Sequence, residues 1–367
     1  MALSVGIVGL PNVGKSTLFN ALTRAGAAVA PYPFTTIDPN VGVAAVPEPR
    51  LEVLTRMVQP ERTTPATIQF VDIAGLVRGA HRGEGLGNQF LSHIRAVDAI
   101  AIVCRCFANP DVSHVEGAAD PVRDIEILDL ELILADLEIA ERRLEKARTA
   151  AKARPREAAS ELESLETLRA HLQAGRPAAH WVASGGPTEE ALARELSLLT
   201  AKPRLYVANV SEQDLPDGGP LAAAVCRLAQ AQAVPCVPLC AQLETDLSEW
   251  SEDEAAAYRR EVGLERSGLE ALAQAAYRLL DLVTFFTVVG GNEVRAWAVP
   301  RGTKAPQAAG RVHTQMEQGF IRAEVLAFED LVAAGSWHAA RERGLLRVEG
   351  REYQVRDGDV CLFRFNP

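Results

Sequence analysis

A glycine-rich stretch near the start of the chain carries the clearest chemical signal. Residues 9–17 fit the pattern G-x-x-x-x-G-K-[ST], which is typical of the phosphate-binding loops of nucleoside triphosphatases. Gly9 and Gly14 let backbone N–H groups curl around phosphates, and the helix start that follows adds donors and the positive end of its dipole. Lys15 is expected to reach the outer phosphates, and the Ser16 hydroxyl to bind Mg²⁺. The alternative, a glycine-rich turn that binds nothing, is disfavoured because an apolar strand pattern precedes the loop and a helical pattern follows it.

Two later segments supply groups for the metal and the γ-phosphate. Thr36 lies in a proline-rich segment after the first helix, where a switch threonine completes the Mg²⁺ shell; spacing alone does not separate it from Thr35. Asp72 ends an apolar strand and begins a D-x-x-G element that ends at Gly75. We expect Asp72 to hold Mg²⁺ through water and the Gly75 N–H to meet the γ-phosphate. This element alone is a weak signal, but its order after the phosphate loop makes it a strong one.

The residue after Gly75 bears on catalysis. Small GTPases usually carry a glutamine there to orient the attacking water, whereas this chain has Leu76. Because leucine forms no side-chain hydrogen bond, either hydrolysis is slow or another group positions the water. His114 is the candidate, since it lies in the loop after the next strand and ligands sit at the carboxyl ends of such strands. A solvated loop histidine is the alternative.

The segment Asn209-Val210-Ser211-Glu212 follows a further strand, at the position where GTP-specific proteins normally carry N-K-x-D. The aspartate of that motif accepts hydrogen bonds from guanine. The longer side chain of Glu212 places its carboxylate differently, which argues against guanine. Adenine offers a donor at N6 and an acceptor at N1, which one backbone N–H and one C=O can read. We therefore predict ATP, with Asn209 and Val210 bordering the base.

The elements that position these groups predict an α/β fold. The interval between Asp72 and Asn209 is several times the roughly 30 residues of one βαβ unit. Two helical patterns separated by Pro155 predict an antiparallel helical hairpin, inserted at 124–200, with a basic tip that either contacts RNA or is merely solvated. An acidic helical region at 246–262 is predicted to help close the nucleotide domain.

Domain boundaries follow from this pattern. The predicted nucleotide-binding domain spans 1–280 and contains the insertion, and a small module of short strands around one helix, a β-grasp, spans 281–365.

Composition limits the classes of function. Lys and Arg number 38 against 48 Asp and Glu, a formal charge of −10, so the chain is not expected to coat nucleic acid through bulk charge. The six cysteines form neither a C-x-x-C pair nor a zinc pattern, which indicates thiols in a reducing compartment. No secretion signal and no apolar run of membrane-spanning length is found, so a cytoplasmic location is predicted.

Together these motifs resemble the YchF or Obg-like ATPase family, a branch of the Obg-related translation-factor GTPases. The resemblance covers nearly the whole chain, and the segments that carry it are 9–17, 33–37, 72–77, 83–91, 209–212, 294–297 and 357–360. It implies a P-loop, G-protein-like sheet with an inserted helical coiled coil, and a C-terminal TGS domain of ubiquitin-like β-grasp fold. It also implies Mg²⁺-dependent ATP hydrolysis with ATP preferred over GTP. The implied partner is the ribosome, at the large subunit or the subunit interface, bound through the coiled coil and the TGS domain, with no membrane and no sequence-specific DNA.

The resemblance adds roles for individual residues. Asn12 matches the asparagine with which K⁺-stimulated relatives hold a monovalent cation, and His114 matches the loop histidine proposed to replace the missing glutamine. Thr35 stands where many members have Cys, so Thr36 aligns with the Mg²⁺ threonine. The predicted catalytic residues are His114, Lys15 and Gly75, and the predicted metal ligands are Ser16, Thr36 and Asp72. The predicted nucleotide-binding residues are Asn12, Val13, Gly14, Lys15, Ser16, Thr17, Asn209, Val210 and Glu212.

Two alternative functions stay open from the sequence. One is a GTPase of the Obg kind, against which Glu212 argues. The other is a nucleotide-gated binding protein whose hydrolysis is incidental, which Leu76 favours.

Overall fold

The computed structural model describes residues 3–29, 40–73, 86–108, 119–152, 155–289 and 292–366. The chain divides into two compact units. The first is built mainly from Met1–Leu22 and Gln69–Leu269, and the second mainly from Val43–Ile68 and Glu270–Pro367. Among the described residues, no helix combines the length and apolar character needed to cross a membrane.

A six-stranded sheet forms the centre of the nucleotide half of the chain. Its strands, in the order in which they lie side by side, are β2 (Val41–Ala45), β4 (Thr67–Asp72), β1 (Ser4–Val8), β5 (Ala99–Cys106), β6 (Arg204–Val210) and β7 (Cys236–Leu239). The pairs β4–β1, β1–β5, β5–β6 and β6–β7 are parallel, so their carboxyl ends lie at one edge of the sheet. All eight residues of β5 are buried, as expected for a central strand that is covered on both faces.

Helices follow the strands in the alternating order typical of α/β folds. The helices of this part of the chain are α1 (Lys15–Val29), α2 (Pro49–Val58), α3 (Leu86–Ala96), α4 (Pro121–Ala151), α5 (Pro155–Gln173), α6 (Ala178–Ser184), α7 (Pro187–Glu195), α8 (Gly219–Ala231), α9 (Ala241–Leu247), α10 (Glu252–Glu261) and α11 (Gly268–Leu279). Short 3₁₀ helices occupy Leu199–Ala201 and Glu212–Asp214.

The insertion between β5 and β6 has a hydrophobic core of its own. Helix α4 packs along α5, α6 packs against α5, and α7 packs against α6. The buried residues of this core are Ile133, Ala140, Leu144, Ala147, Leu165, Leu168, Leu172, Ala178, Trp181, Leu192, Ala193 and Leu198. The predicted helical hairpin is therefore confirmed, and it carries two further short helices that the periodicity analysis did not separate.

A second six-stranded sheet lies in the C-terminal unit. Its strand order is β11 (Arg347–Glu349), β10 (Phe320–Ala327), β12 (Asp359–Phe365), β8 (Leu282–Val289), β9 (Glu293–Pro300) and β3 (Arg62–Thr64). The helices that follow α11 along the chain are α12 (Ala305–Val312), α13 (Thr314–Gln318), α14 (Phe328–Ala334) and α15 (Trp337–Glu342). Helix α2 and most of α11 also fall within this unit. The β8–β9 hairpin is antiparallel, as predicted, and α12 contributes buried alanines to the core.

Two expectations differ from the structure. Strand β3 falls within the predicted nucleotide domain, yet it pairs in parallel with β9, because this pairing covers the open edge of the second sheet. The single acidic helical region predicted at 246–262 is two helices, α9 and α10. Ser251 begins α10 by a reciprocal capping box with Glu254, which sets a new helix start inside the acidic stretch.

Candidate nucleotide-binding site

The phosphate loop connects β1 to α1 and is held open by its glycines. A Cβ atom on Gly9 would lie 2.6 Å from the Val103 carbonyl oxygen, so the loop passes too close to β5 for a side chain there. Gly14 has φ +95°, and a Cβ on it would collide with the Asn209 amide. The Gly14 carbonyl then accepts the Leu18 N–H and begins α1. The first turn of α1 consequently points its N–H groups at the loop, as an anion site requires.

Lys15 and Asp72 are electrostatic neighbours at the carboxyl edge of the first sheet. The Lys15 ammonium donates to the Leu10 carbonyl oxygen across 2.7 Å, within the phosphate loop. Burial lowers the pKa of Lys15, and the charge of Asp72 opposes this. Burial likewise raises the pKa of Asp72, opposed by Lys15. β1 and β4 bring the two residues together because Ile7 pairs with Asp72 in parallel register.

The oxygen donors of this corner fit Mg²⁺. Ser16 is exposed in the first turn of α1, and Asp72 is half-buried at the end of β4. Among the residues that the structure describes, no cluster of three or more His, Cys, Asp or Glu can hold a metal. Mg²⁺ is commonly held by one or two protein oxygens together with substrate phosphates and water. Ser16 and Asp72 therefore suit an ion that arrives with its nucleotide.

Asn209 joins two loops of the site. Its side-chain nitrogen donates to the Val13 carbonyl oxygen at 2.9 Å, and its side-chain oxygen accepts the Ala241 N–H at 3.0 Å. Asn209 is only 5% exposed, so both bonds are made away from water. Val210 is 2% exposed as a whole residue and pairs with Cys106 of β5 at the end of β6. Ala241 lies in the segment 240–244, which stands where G proteins carry their S-A-K base loop and matches that loop only loosely.

Glu212 is exposed at the first position of the 3₁₀ helix Glu212–Asp214. Its carboxylate accepts a hydrogen bond from the Tyr258 hydroxyl on α10, and this bond raises the pKa of Tyr258. Tyr258 also packs edge-on against Trp250, with ring centroids 5.4 Å apart. The sequence analysis missed Tyr258, because 46 residues separate it from Glu212 and no motif marks it.

An open groove of about 980 Å³ lies beside this carboxylate. It is lined by the loop 211–216, by Ala108 and by residues 261–263 at the end of α10. Glu212, Asp214 and Glu261 give one side of the groove an acidic character.

The remaining predicted residues differ in what the structure shows of them. Asn12 is exposed in the phosphate loop with φ +62°, a left-handed conformation that asparagine tolerates better than most residues. Thr17 lies in the first turn of α1, where its carbonyl oxygen accepts a bond from the Thr245 hydroxyl at 3.2 Å. Thr36, Gly75 and His114 lie outside the described residues, and their roles stay predictions.

Comparison with known families agrees with this architecture. Residues 4–141 match the family described as 50S ribosome-binding GTPase. Residues 282–366 match the C-terminal family of YchF GTPases, which is described as a protein of unknown function (DUF933).

Individual relatives align along the entire chain. It is 50% identical over 370 residues to the Ribosome-binding ATPase YchF of Bacillus subtilis (strain 168), covering 100% of both chains. It is 47% identical over 367 residues to the protein of the same name from Escherichia coli O157:H7, again covering 100% of both. The solved structure of the Schizosaccharomyces pombe YchF GTPase superposes with a TM-score of 0.87 at 36% identity, covering 99% of this chain and 97% of that one. From its phosphate loop to its C-terminal sheet, the chain therefore belongs to the YchF family.

Proposed function

We propose that the protein is a Mg²⁺-dependent ATPase that binds and hydrolyses ATP in preference to GTP and associates with ribosomes as a nucleotide-controlled switch. The observation that carries the base preference is the engagement of the Glu212 carboxylate by Tyr258. The names of the relatives, ribosome-binding ATPases, support both the nucleotide and the partner.

The phosphate end of the site supports triphosphate hydrolysis. Lys15 places a partly buried ammonium beside the phosphate loop, where its charge acts more strongly than it does in water. Ser16 and Asp72, completed by Thr36, would hold Mg²⁺, which supplies charge neutralisation on the transferred phosphoryl group when it is bound. The Gly75 N–H is assigned to the γ-phosphate, and Asn12 to a K⁺ ion that activates hydrolysis.

The proposed preference for adenine rests on the position of the Glu212 carboxylate, which is bonded to Tyr258. Guanine selection in G proteins uses a carboxylate that is free to accept from the base. Here the Glu212 carboxylate already accepts from Tyr258, and the Val210 side chain is buried. A carboxylate keeps further acceptor sites, so the bond to Tyr258 redirects Glu212 and does not saturate it. We assign the donor–acceptor edge of adenine to the backbone groups of Asn209 and Val210.

Turnover is assigned to His114, because Leu76 cannot orient a water molecule. The helical insertion, 124–200, and the C-terminal TGS domain, 281–365, are assigned to ribosome contact, at the large subunit or the subunit interface. Thr36 and Gly75 are assigned to sense the loss of the γ-phosphate and to transmit it to the insertion and the TGS domain. A ribosome-associated role places the protein in the cytoplasm.

The test is nucleotide binding and turnover by the full-length protein. Fluorescent ATP and GTP analogues are titrated in Mg²⁺, and hydrolysis of each nucleotide is then followed in K⁺ and in Na⁺. Tighter binding and faster turnover of ATP are expected, with faster turnover in K⁺ than in Na⁺. Tighter GTP binding would overturn the base assignment and leave an Obg-type GTPase, whereas equal rates in K⁺ and Na⁺ would remove only the cation role of Asn12.

A second measurement addresses whether nucleotide controls partner binding and whether hydrolysis is needed for it. A His114→Ala variant is mixed with ribosomes, with and without ATP, and the bound fraction is determined by sedimentation. ATP-dependent binding without turnover would support a nucleotide-gated binding protein whose hydrolysis is incidental. Equal binding with and without ATP would contradict a nucleotide-controlled switch.

A further inference from the structure

A lysine in the segment that follows the helical insertion, Lys202, bonds to the carboxyl end of α3. The Lys202 ammonium donates to the carbonyl oxygens of Arg95 at 3.0 Å and Val97 at 2.6 Å. Carbonyls at a helix end lack intrahelical partners, and a cation there also complements the helix dipole. Lys202 is half-buried, and burial lowers its pKa against the opposing charges of Asp98 and Asp136. Lys202 is therefore partly buried and bonded to two carbonyl oxygens at the end of α3.

The segment that carries Lys202 is in turn fixed by a buried carboxylate of α4. Asp136 is 0% exposed and accepts the N–H groups of Leu199 and Thr200, each at 2.8 Å, and the Thr200 hydroxyl at 2.6 Å. The same hydroxyl accepts the Ala178 N–H at 2.8 Å, at the start of α6. A fully hydrogen-bonded buried carboxylate of this kind fixes one local arrangement. Two helices of the insertion thus hold the 3₁₀ turn immediately before Lys202.

The insertion and this segment share one hydrophobic core. Leu198 belongs to the core of the insertion, so the chain that leaves the insertion packs with it. A second tie joins Asp129 of α4 to Arg204, at the first residue of β6, across 2.5 Å. β6 ends at Asn209 and Val210 in the nucleotide site. The insertion is therefore linked to both α3 and β6 by these contacts.

α3 is the element that links this support to the nucleotide. Phe90, Leu91 and Ile94 bury its face in the core. The chain runs from Asp72, at the phosphate end of β4, through residues 74–85 to the start of α3 at Leu86. α3 is therefore the first described element that follows Asp72 along the chain.

We propose that Lys202 couples the helical insertion to α3, so that a partner that displaces the insertion changes the rate of nucleotide hydrolysis, and the bound nucleotide changes the insertion. This inference rests on the proposed nucleotide binding. Lys202 touches no predicted nucleotide ligand; it is a positioning residue that acts through α3. Because coupling between two binding sites is reciprocal, it can be measured from the nucleotide side without the partner.

The experiment is hydrogen exchange of the full-length protein, bound either to Mg²⁺ with a non-hydrolysable ATP analogue or to Mg²⁺ with ADP. In the wild type, amides of 129–140 and 196–204 are expected to exchange at rates that differ about fivefold or more between the two nucleotides. Lys202→Met keeps the length of the side chain and removes the charge. In this variant the phosphate loop remains protected by both nucleotides, while the difference at 129–140 falls below about twofold.

Three further variants separate coupling from a loss of structure. Lys202→Arg retains the cation and is expected to restore the nucleotide-dependent difference. Lys146→Met removes an exposed lysine of the same insertion and is expected to behave as the wild type. Thr200→Val removes the hydroxyl that joins Asp136 to the Ala178 N–H and so weakens the insertion side of the linkage while Lys202 stays intact. A reduced nucleotide-dependent difference is expected there, so the test does not depend on the folding of Lys202→Met.

The outcomes distinguish the two levels of inference. An unchanged difference at 129–140 in both Lys202→Met and Thr200→Val overturns the coupling. A wild type whose phosphate loop is protected but whose insertion does not respond also overturns it. A wild type whose phosphate loop is protected by neither nucleotide overturns the proposed function instead.

Discussion

The side-chain amide of Asn209 donates to the carbonyl oxygen of Val13 at 2.9 Å, which ties the end of β6 to a phosphate loop that lies 196 residues earlier in the chain. The oxygen of the same amide accepts the Ala241 N–H from the loop that begins α9. One buried side chain therefore holds the phosphate loop, the end of β6 and the start of α9 in a single arrangement.

An Asn209→Asp variant tests this linkage. Aspartate keeps the size and the acceptor for Ala241, but it cannot donate to Val13 and sets a carboxylate against a carbonyl oxygen. A buried polar group left unpaired costs about 1–3 kcal/mol, so the affinity for a fluorescent ATP analogue is expected to fall about tenfold or more. Asn292→Asp is the matched control, because it makes the same substitution at an exposed position of the C-terminal unit. Wild-type affinity in Asn209→Asp would contradict the role of the amide.

Replacement of Lys15 by methionine is expected to separate function from stability. Burial lowers the pKa of Lys15, which shows that its environment disfavours the charged form. Loss of the charge is therefore tolerated by the fold, and the melting temperature without nucleotide should change by less than about 4 °C. ATP turnover should fall about 100-fold or more, because the cation that faces the phosphates is gone. Retained turnover would exclude Lys15 from catalysis, and a collapse of the melting temperature would show a structural role.

The bond between Glu212 and Tyr258 predicts a change of base preference. Glu212→Asp shortens the side chain and restores the acid of the guanine motif, so GTP should gain relative to ATP by about tenfold, the effect of roughly one hydrogen bond. Tyr258→Phe frees the carboxylate without altering it and should shift the ratio in the same direction. Both ratios are measured by competition of ATP and GTP against one fluorescent nucleotide. An unchanged ratio in both variants would show that the engaged carboxylate does not decide the base.

His114→Ala tests the assignment of the water-positioning group. General-base or water-orienting groups contribute about 10²–10⁴-fold, so turnover under saturating ATP should fall about 100-fold while nucleotide affinity stays unchanged. Single-turnover hydrolysis and fluorescence titration give the two quantities separately. His180→Ala is the control, since His180 is exposed on the insertion. Normal turnover in His114→Ala would show that His114 is a solvated loop residue without a role in hydrolysis.

An acid-dependent contribution to stability is predicted in the C-terminal sheet. Glu324 is 8% exposed and accepts two bonds from Arg364, each 3.1 Å long. These bonds, aided by Arg322, lower the pKa of Glu324 below its ordinary value of 4.5. A carboxylate whose folded pKa lies below its unfolded pKa stabilises the fold above the unfolded value, and this stability is lost as the pH falls through the folded value.

Glu324→Gln should therefore melt about 3 °C below the wild type at pH 7 and show no difference in acid, below the pKa of the folded protein. Thermal unfolding across this pH range is the measurement. Glu329→Gln, at an exposed position on α14, is the control and should match the wild type throughout. An equal difference at both ends of the pH range would mean that the carboxylate charge is not involved.

The sequence by itself determined the class of fold and the phosphate chemistry. The phosphate loop, Asp72 and the helical hairpin are each encoded by consecutive residues, in glycine spacing, strand ends and 3.6-residue periodicity. Such signals depend on the local backbone, so they can be recognised without knowing what lies across the molecule. The order of these local signals along the chain was also enough to indicate the family.

Only the tertiary structure decided which polar groups meet. Tyr258 donates to Glu212, which lies 46 residues away in the chain. Lys202 donates to the carbonyl of Arg95 at the end of α3, 107 residues away. The three residues of β3 complete a sheet formed otherwise by the C-terminal unit. A hydrogen-bond donor can donate to any suitably placed carbonyl or carboxylate oxygen, so the packing of whole helices and strands decides its partner. That packing depends on the complete set of buried contacts, which no single stretch of sequence contains.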